Sequence, residues 1–268
     1  MQNKKRVLTR KNGFLLISII FINLFLLSSC GFITGNNFDP GENWQSRESE
    51  HFRFYYREDS FADTHIDEII QIEEEAFQHI IDSLEINYHD KTTIYIYDSP
   101  ADAGWDHIQG FAYCWDKFIL TIYSEAGKSI GVKGAACHEI THVMTWNSIG
   151  KPGTNFLDEG TAVAMDGEWH AASDVITGLH QWTKKYLAEG TLPSISQLVN
   201  DWDSINGLIS YPVSGSFVTY LIERFGVANF KKLFIEADKT NFESEFFKIY
   251  HLDFNSIIKD WKLFVQKN

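Results

Sequence analysis

Cys137-His138-Glu139-Ile140-Thr141-His142 is the most informative stretch of this 268-residue chain, and it contains the pattern H-E-x-x-H. On an α-helix, residues four apart lie on the same face, so His138 and His142 are expected to point the same way. Two imidazoles and a carboxylate suit a catalytic zinc ion, which keeps one position open for water. Glu139 lies beside the first ligand, where it can reach that water. The pattern therefore predicts a zinc-binding helix with Glu139 as general base.

The flanking residues favour a buried helix over a chance match on the surface. The preceding run, Gly131-Val132-Lys133-Gly134-Ala135-Ala136, is mostly small and apolar, and Val143-Met144-Thr145-Trp146 continues it. A surface helix would carry more charge. Gly150 and Pro152 are expected to end the helix.

The whole chain has the size and apolar content of one sizeable domain or two small ones, with 44% hydrophobic and 15% aromatic residues. Its formal net charge of -13 argues against binding nucleic acid through a basic surface. We predict three segments: a signal peptide over residues 1–29, a tether over 30–48, and a catalytic domain over 49–268.

The first segment has the features of an export signal. A basic start, with Lys4, Lys5, Arg6, Arg10 and Lys11, precedes the apolar run Phe14–Leu27, which is too short for a comfortable membrane span. The run ends in Leu27-Ser28-Ser29-Cys30, which resembles the lipobox of bacterial lipoprotein precursors. That resemblance implies a lipidated Cys30, and thus a protein anchored to a membrane in the bacterial cell envelope, outside the cytoplasm. An ordinary signal peptide and an uncleaved signal anchor are the alternatives.

Two cysteines remain after Cys30, namely Cys114 and Cys137. Their spacing cannot show whether they form a disulfide. Cys137 precedes a predicted ligand and points away from the metal, so we interpret it as a small buried residue.

The order of predicted elements indicates an α+β fold. Strands are expected over 52–56, 92–97 and 118–123, with a long amphipathic helix over 64–86 and a loop over 98–115. Further helices are expected from about Asn155, before Gly226, and between Phe230 and Val265. Strands come first and helices later, which is typical of the α+β class.

The third metal ligand must come from residues after His142. The candidates are Asp158, Glu159, Asp166, Glu168 and His170. The long metzincin pattern would require Gly at 145 and His at 148, where this chain has Thr145 and Ser148.

The segment Phe156-Leu157-Asp158-Glu159-Gly160-Thr161-Ala162 resembles the "N/D/S-E-G-x-A" segment of gluzincin metallopeptidases. The resemblance implies that Glu159 is the third zinc ligand and that Asp158, its main rival, orients a ligand histidine. It also implies a zincin-like catalytic domain, with a small N-terminal mixed sheet and a mainly helical C-terminal half.

A second segment, Tyr211 to Leu221, is similar to one in gluzincins of the aminopeptidase-like clan. This similarity implies that the Tyr211 hydroxyl donates a hydrogen bond to the oxyanion of the reaction, although a packing role is equally open. In that clan a strand before the metal helix pairs with the substrate, which points to Ile119, Leu120, Thr121 and Ile122.

These features together predict a zinc peptidase that acts on peptides or proteins. The Gly-x-Met-x-Asn motif of aminopeptidases is not evident before the helix, which favours an endopeptidase. Two alternatives stay open: a lipid-anchored binding or assembly protein without turnover, and a zinc hydrolase of another bond, such as an ester. The presence of Glu139 argues against the first, because a non-catalytic zinc site has no need of that carboxylate.

Overall fold

The computed structural model describes residues 43–104, 110–124, 132–169, 176 and 178–267. The predicted signal peptide, Cys30 and the candidate ligand His170 lie outside these residues. Within the described ranges, every helix is too short or too polar to cross a lipid bilayer.

The described chain forms a small sheet followed by a mainly helical half. The strands are β1 (Trp44–Glu48), β2 (Phe52–Arg57), β3 (Thr92–Tyr97), β4 (Gly110–Tyr113) and β5 (Phe118–Ile122). The helices are α1 (Phe61–Leu84), α2 (Val132–Ser148), α3 (Asn155–Asp166), α4 (Leu179–Glu189), α5 (Ile195–Asn200), α6 (Gly207–Phe225), α7 (Val227–Glu236), α8 (Phe242–Tyr250) and α9 (Phe254–Lys267). The predicted α+β class, with a mixed sheet first and helices afterwards, is confirmed.

The strand order in the sheet is β1-β2-β3-β5-β4. β2, β3 and β5 are parallel, whereas β1 and β4 are antiparallel strands at the two edges. β5 is hydrogen-bonded to β3 on one side and to β4 on the other. The prediction that Ile119, Leu120, Thr121 and Ile122 pair with substrate is therefore wrong, because the sheet already uses their backbone groups. The edge strand next to β5 is β4, in a segment predicted to be a loop.

The predicted tether over residues 30–48 is too long at its C-terminal end, because β1 forms part of the sheet. Residues Trp44–Glu48 pair antiparallel with β2 along their whole length. Four of these five side chains are exposed, so the segment lacks the apolar alternation by which a strand is recognised. The folded domain thus includes residues that the sequence assigned to the linker.

One hydrophobic core lies between the sheet and helices α1 and α2. It brings together side chains from both layers, among them Phe54, Ile69, Ile94, Ile119 and Val143. α1 begins at the N-cap Ser60, whose side chain accepts a hydrogen bond from the Asp63 amide. This packing holds α2, the helix with the H-E-x-x-H motif, against the sheet.

The same core contains a buried carboxyl group, that of Glu73 on α1. The Tyr123 hydroxyl donates a 2.5 Å hydrogen bond to its Oε1, while Oε2 has no hydrogen-bond partner among the described residues. Burial raises the pKa of Glu73 from 4.5 to about 8, although the hydrogen bond from Tyr123 lowers it. At neutral pH this carboxyl group therefore retains its proton.

We expect the wild type to lose stability as the pH rises from about 5 to about 8, and Glu73→Gln to lose less. Between pH 4.5 and about 8 the unfolded chain has released this proton and the folded chain has not. The free energy of unfolding therefore falls by about 1.4 kcal/mol per pH unit across that window, on the order of 5 kcal/mol in all. Glutamine cannot ionise and escapes this loss. Urea unfolding of both proteins at about pH 5 and about pH 8 measures the difference.

Glu75→Gln is the matched control for this experiment, because Glu75 is exposed on the same helix. It should follow the pH dependence of the wild type. An equal change in stability from about pH 5 to about pH 8 in wild type and Glu73→Gln would contradict the expectation.

A second core joins the helical half and centres on the contact between α3 and α6. Its buried members come from α3 through α9, for example Leu157, Trp182, Phe217, Phe234 and Trp261. At Gly160 a Cβ atom would lie 3.1 Å from Ser214 Cβ and 3.1 Å from Val218 Cγ2. The glycine thus lets α3 approach α6 closely, which brings Glu159 near the start of α6.

α6 contains Pro212 within its first two turns. Proline lacks the N–H that would bond to the carbonyl four residues earlier, which belongs to Leu208. The Tyr186 hydroxyl, from α4, donates a 2.7 Å hydrogen bond to that carbonyl. The helical turn that carries Tyr211 is therefore tied to α4.

Candidate metal centre

Three side chains from α2 and α3 converge on one point. The Nε2 atom of His138 lies 3.3 Å from Nε2 of His142 and 3.2 Å from Oε2 of Glu159. Nε2 of His142 lies 3.4 Å from the same carboxylate oxygen. Among the described residues, these three form the group of His, Cys, Asp and Glu side chains that could hold a metal ion.

The size of this triangle fits zinc. Two ligand atoms at about 2.0–2.1 Å from a tetrahedral zinc ion are about 3.3–3.4 Å apart, which follows from the tetrahedral angle. The three observed separations are 3.2, 3.3 and 3.4 Å. Two imidazoles and one carboxylate are also the donor set of several catalytic zinc sites. The residues present therefore fit the predicted cofactor in chemistry and in spacing.

Each histidine is oriented by a carboxylate on its other ring nitrogen. Nδ1 of His142 lies 2.9 Å from Oδ1 of Asp158, and Nδ1 of His138 lies 3.3 Å from Oδ2 of Asp166. A proton on Nδ1 leaves Nε2 with a free lone pair for a metal. The indole N–H of Trp146 also donates to Asp158, 3.1 Å from Oδ1. Asp158 thus holds two residues of α2 in place.

The charges of the three side chains compensate one another in this structure. Burial opposes protonation of His138, but hydrogen bonds to Asp166 and Glu159 outweigh it and raise its pKa to about 10. For His142, burial is likewise outweighed by Asp158 and Glu159, which raise its pKa. Burial alone would raise the pKa of Glu159, whereas the two histidines lower it below its usual value. A metal cation would thus displace protons from this site.

Glu139 lies beside the triangle and is packed against the edge strand. Its side chain is buried, and Oε2 has no hydrogen-bond partner in the described part of the chain. Burial raises the pKa of this carboxyl group, although the neighbouring histidines lower it. A Cβ atom at Gly110 would lie 2.7 Å from Oε1 of Glu139. Only glycine on β4 leaves room for the carboxylate in this position.

Tyr211 borders the site from α6. Its ring centroid is 6.1 Å from that of His138, and the ring is stacked on Trp169 at 5.2 Å. Trp202 packs edge-on against it at 5.4 Å. Burial and the nearby Glu159 carboxylate, to which Tyr211 is hydrogen-bonded, raise the pKa of its hydroxyl well above the usual value. The phenol is therefore neutral and able to donate a hydrogen bond.

Comparison with known families assigns the domain. The sequence profile of the Peptidase MA superfamily matches residues 74–267, which include all the site residues described above. The chain belongs to the Peptidase MA superfamily. No curated protein matches the chain significantly. The Peptidase MA assignment makes this a metallopeptidase-type domain, and the triangle of ligand atoms is its candidate metal site.

Most of the predicted site residues of this Peptidase MA domain lie together in the structure. His138, His142 and Glu159 form the triangle, and Glu139, Asp158 and Tyr211 border it. Of the other candidate ligands, Asp166 contacts Nδ1 of His138 rather than the triangle, and Glu168 is exposed. Cys137 is a buried free thiol, so it does not pair with Cys114.

Two site residues were not predicted from the sequence in their present roles. Asp166 follows Glu159 by seven residues, or two helical turns, and this spacing was the available signal that both lie on one face of α3. Gly110 had no such signal, because its contact with Glu139 depends on how β4 is placed in the sheet.

Proposed function

We propose that this Peptidase MA protein is a zinc-dependent endopeptidase of the gluzincin type. The observation that carries the proposal is the triangle of His138, His142 and Glu159, with the buried carboxylate of Glu139 beside it. In this proposal the three triangle residues hold zinc, and Asp158 and Asp166 keep the two imidazoles in the tautomer that binds it.

The protein side chains divide the chemistry of peptide hydrolysis among them. A bound zinc ion would lower the pKa of a water molecule and stabilise the negative charge that develops on the substrate. Glu139 accepts the proton of the attacking water at its carboxylate and delivers it to the nitrogen of the leaving amine. The Tyr211 hydroxyl donates a hydrogen bond to the oxyanion of the substrate carbonyl.

The substrate would lie along β4 instead of the predicted β5. β4 is an edge strand, and its first residue, Gly110, contacts Glu139. An extended peptide that adds to this edge by backbone hydrogen bonds would pass directly in front of the general base. β4 can therefore take the role of substrate-pairing strand that the sequence analysis assigned to Ile119–Ile122.

Metal analysis combined with proteolysis tests the proposed function. We expect the purified protein to contain one zinc per chain and to cleave peptides in a mixture of denatured proteins. A chelator should abolish cleavage, and zinc should restore it. Bound zinc without cleavage of any peptide would favour the lipid-anchored binding protein. Cleavage of ester but not peptide substrates would favour a different hydrolase.

Gly110→Ala is expected to impair hydrolysis while zinc binding persists. The new Cβ would lie 2.7 Å from Oε1 of Glu139, so the carboxylate must move away from β4. A shift of about 1 Å in a catalytic group lowers kcat on the order of 10²-fold. The matched control is Gly178→Ala, where the Cβ would meet only ordinary contacts of 3.5 Å or more. Unchanged kcat in Gly110→Ala would contradict this role.

We further propose that the mature protein is anchored to a bacterial membrane through a lipidated Cys30. The support is the sequence Leu27-Ser28-Ser29-Cys30 after an apolar run. Cys30→Ala should yield a product without lipid that no longer partitions with membranes. Mass spectrometry of the wild-type N-terminal peptide checks this, and an unmodified Cys30 would refute it.

A further inference from the structure

β4 presents two chemically different faces at the edge of the sheet. Gly110 and Ala112 are buried and face α2. Phe111 and Tyr113 alternate with them, are half-buried, and lie on the opposite face of the sheet, with ring centroids 4.8 Å apart. The strand carries no charged residue.

The edge runs beside the metal helix over several residues. Gly110 contacts Glu139 at one end of β4. Just beyond the other end, the Cys114 carbonyl accepts a 2.7 Å hydrogen bond from Nδ2 of Asn147, eight residues further along α2. Among the described strands, β4 pairs with β5 alone, so no other described strand occupies its outer edge, where a peptide could pair.

A peptide paired with β4 must place its side chains alternately on the two faces of the sheet. Residues opposite Gly110 and Ala112 would face α2 and the metal centre. Residues opposite Phe111 and Tyr113 would lie on the outer face, two positions apart. Directly opposed side chains in such pairs have Cβ atoms about 4.5–5.5 Å apart, which is close enough for contact.

The two aromatic rings are held in place by their neighbours in the sheet. Tyr113 stacks on Phe118 of β5 with ring centroids 4.2 Å apart, and Phe118 packs edge-on against Tyr95 of β3 at 5.9 Å. Rings that are already ordered lose little conformational entropy when a ligand packs on them. They therefore form an ordered apolar surface that continues to the β4 edge of the sheet.

We propose that Phe111 and Tyr113 determine specificity by selecting large apolar or aromatic side chains at two substrate positions, two residues apart. This inference rests on the proposed peptidase function and names its substrate class. The positions are those whose side chains point away from the metal, so they lie next to the residues presented to the catalytic groups.

Peptide binding to the full-length Glu139→Gln protein, loaded with zinc, tests the proposal without turnover. The probes are peptides of about ten residues that carry Phe at two alternate positions, and the same peptides with Ser there. Calorimetry should show tighter binding of the Phe peptides. Phe111→Ser and Tyr113→Ser should each reduce the ratio of the two affinities by about 3–10-fold, the usual worth of an aromatic contact.

Tyr55→Ser is the matched control, because Tyr55 is a half-buried aromatic residue on β2 that stacks on Tyr95 at 5.1 Å. It lies two strands away from β5 and should leave the affinity ratio unchanged. An equal reduction in the Tyr55→Ser protein would mean that the aromatic face acts through stability alone, and would overturn the proposal.

Two further outcomes separate the failure of this inference from that of the proposed function. Peptides that bind and are cleaved by the wild type, with no effect of Phe111→Ser or Tyr113→Ser on the affinity ratio, would overturn the specificity proposal alone. A wild type that neither binds nor cleaves any peptide, in the presence of zinc, would overturn both.

Discussion

Glu139→Gln should lower the rate of peptide hydrolysis by about 10²–10⁴-fold, the usual contribution of a general base. The substitution keeps the shape of the side chain, which is packed against Gly110, and removes its ability to accept a proton. Bound zinc should persist, because Glu139 lies outside the triangle of ligand atoms. Steady-state kinetics and metal content, measured on the same preparation, check both statements.

Two results would contradict this assignment of Glu139. Loss of zinc together with activity would make Glu139 a ligand, against the geometry of the triangle. Full activity without the carboxylate would mean that hydrolysis uses another base. Tyr211→Phe is a useful comparison, since it removes a hydroxyl at the same site and leaves the proton acceptor intact.

Glu159→Ala is expected to abolish stoichiometric zinc and with it all hydrolysis. The carboxylate supplies one corner of the ligand triangle and contacts both Nε2 atoms. Asp158→Asn removes a group that only orients a ligand, and such changes typically lower metal affinity by roughly 10–100-fold. Glu159→Ala removes a ligand itself, so its loss of zinc affinity should be larger. Competition with a chromogenic chelator measures the zinc affinity of the wild type, Glu159→Ala and Asp158→Asn.

Glu168→Ala is the matched control, because Glu168 is a carboxylate just beyond α3 and was an open candidate for the third ligand. It should bind zinc like the wild type.

Since the metal must displace protons from His138 and His142, wild-type zinc affinity should also rise between about pH 6 and pH 8. If Glu159→Ala binds zinc as tightly as the wild type does, the proposed ligand set is wrong.

The clustering of the candidate metal ligands could be predicted because it depends largely on local spacing. The spacing of His138 and His142 fixes their common face on any helix, and the Asp158-Glu159-Gly160 segment could be matched to a family pattern. The fold class followed in the same way from the order of strongly patterned segments. These features need little knowledge of which elements become neighbours.

The parts that failed depend on pairing between distant segments. β4 has only four residues and β1 is mostly polar, so neither shows a clear apolar alternation. The choice of β5 as substrate strand was wrong because nothing in Ile119–Ile122 reveals that β5 is inserted between β3 and β4. The contact of Gly110 with Glu139 depends on the same strand order, which places β4 at the edge of the sheet beside α2.

The buried thiol of Cys137 gives the metal helix a built-in reporter of its own opening. Its side chain is only 5% exposed and immediately precedes His138. A thiol reagent can reach it only when α2 separates from the sheet, so the labelling rate of the peptide containing Cys137 records how often that happens. Any ion that binds through His138 and His142 favours the closed helix by mass action and slows the labelling. Metal occupancy can thus be followed in the native protein without a substrate and without introducing a new cysteine.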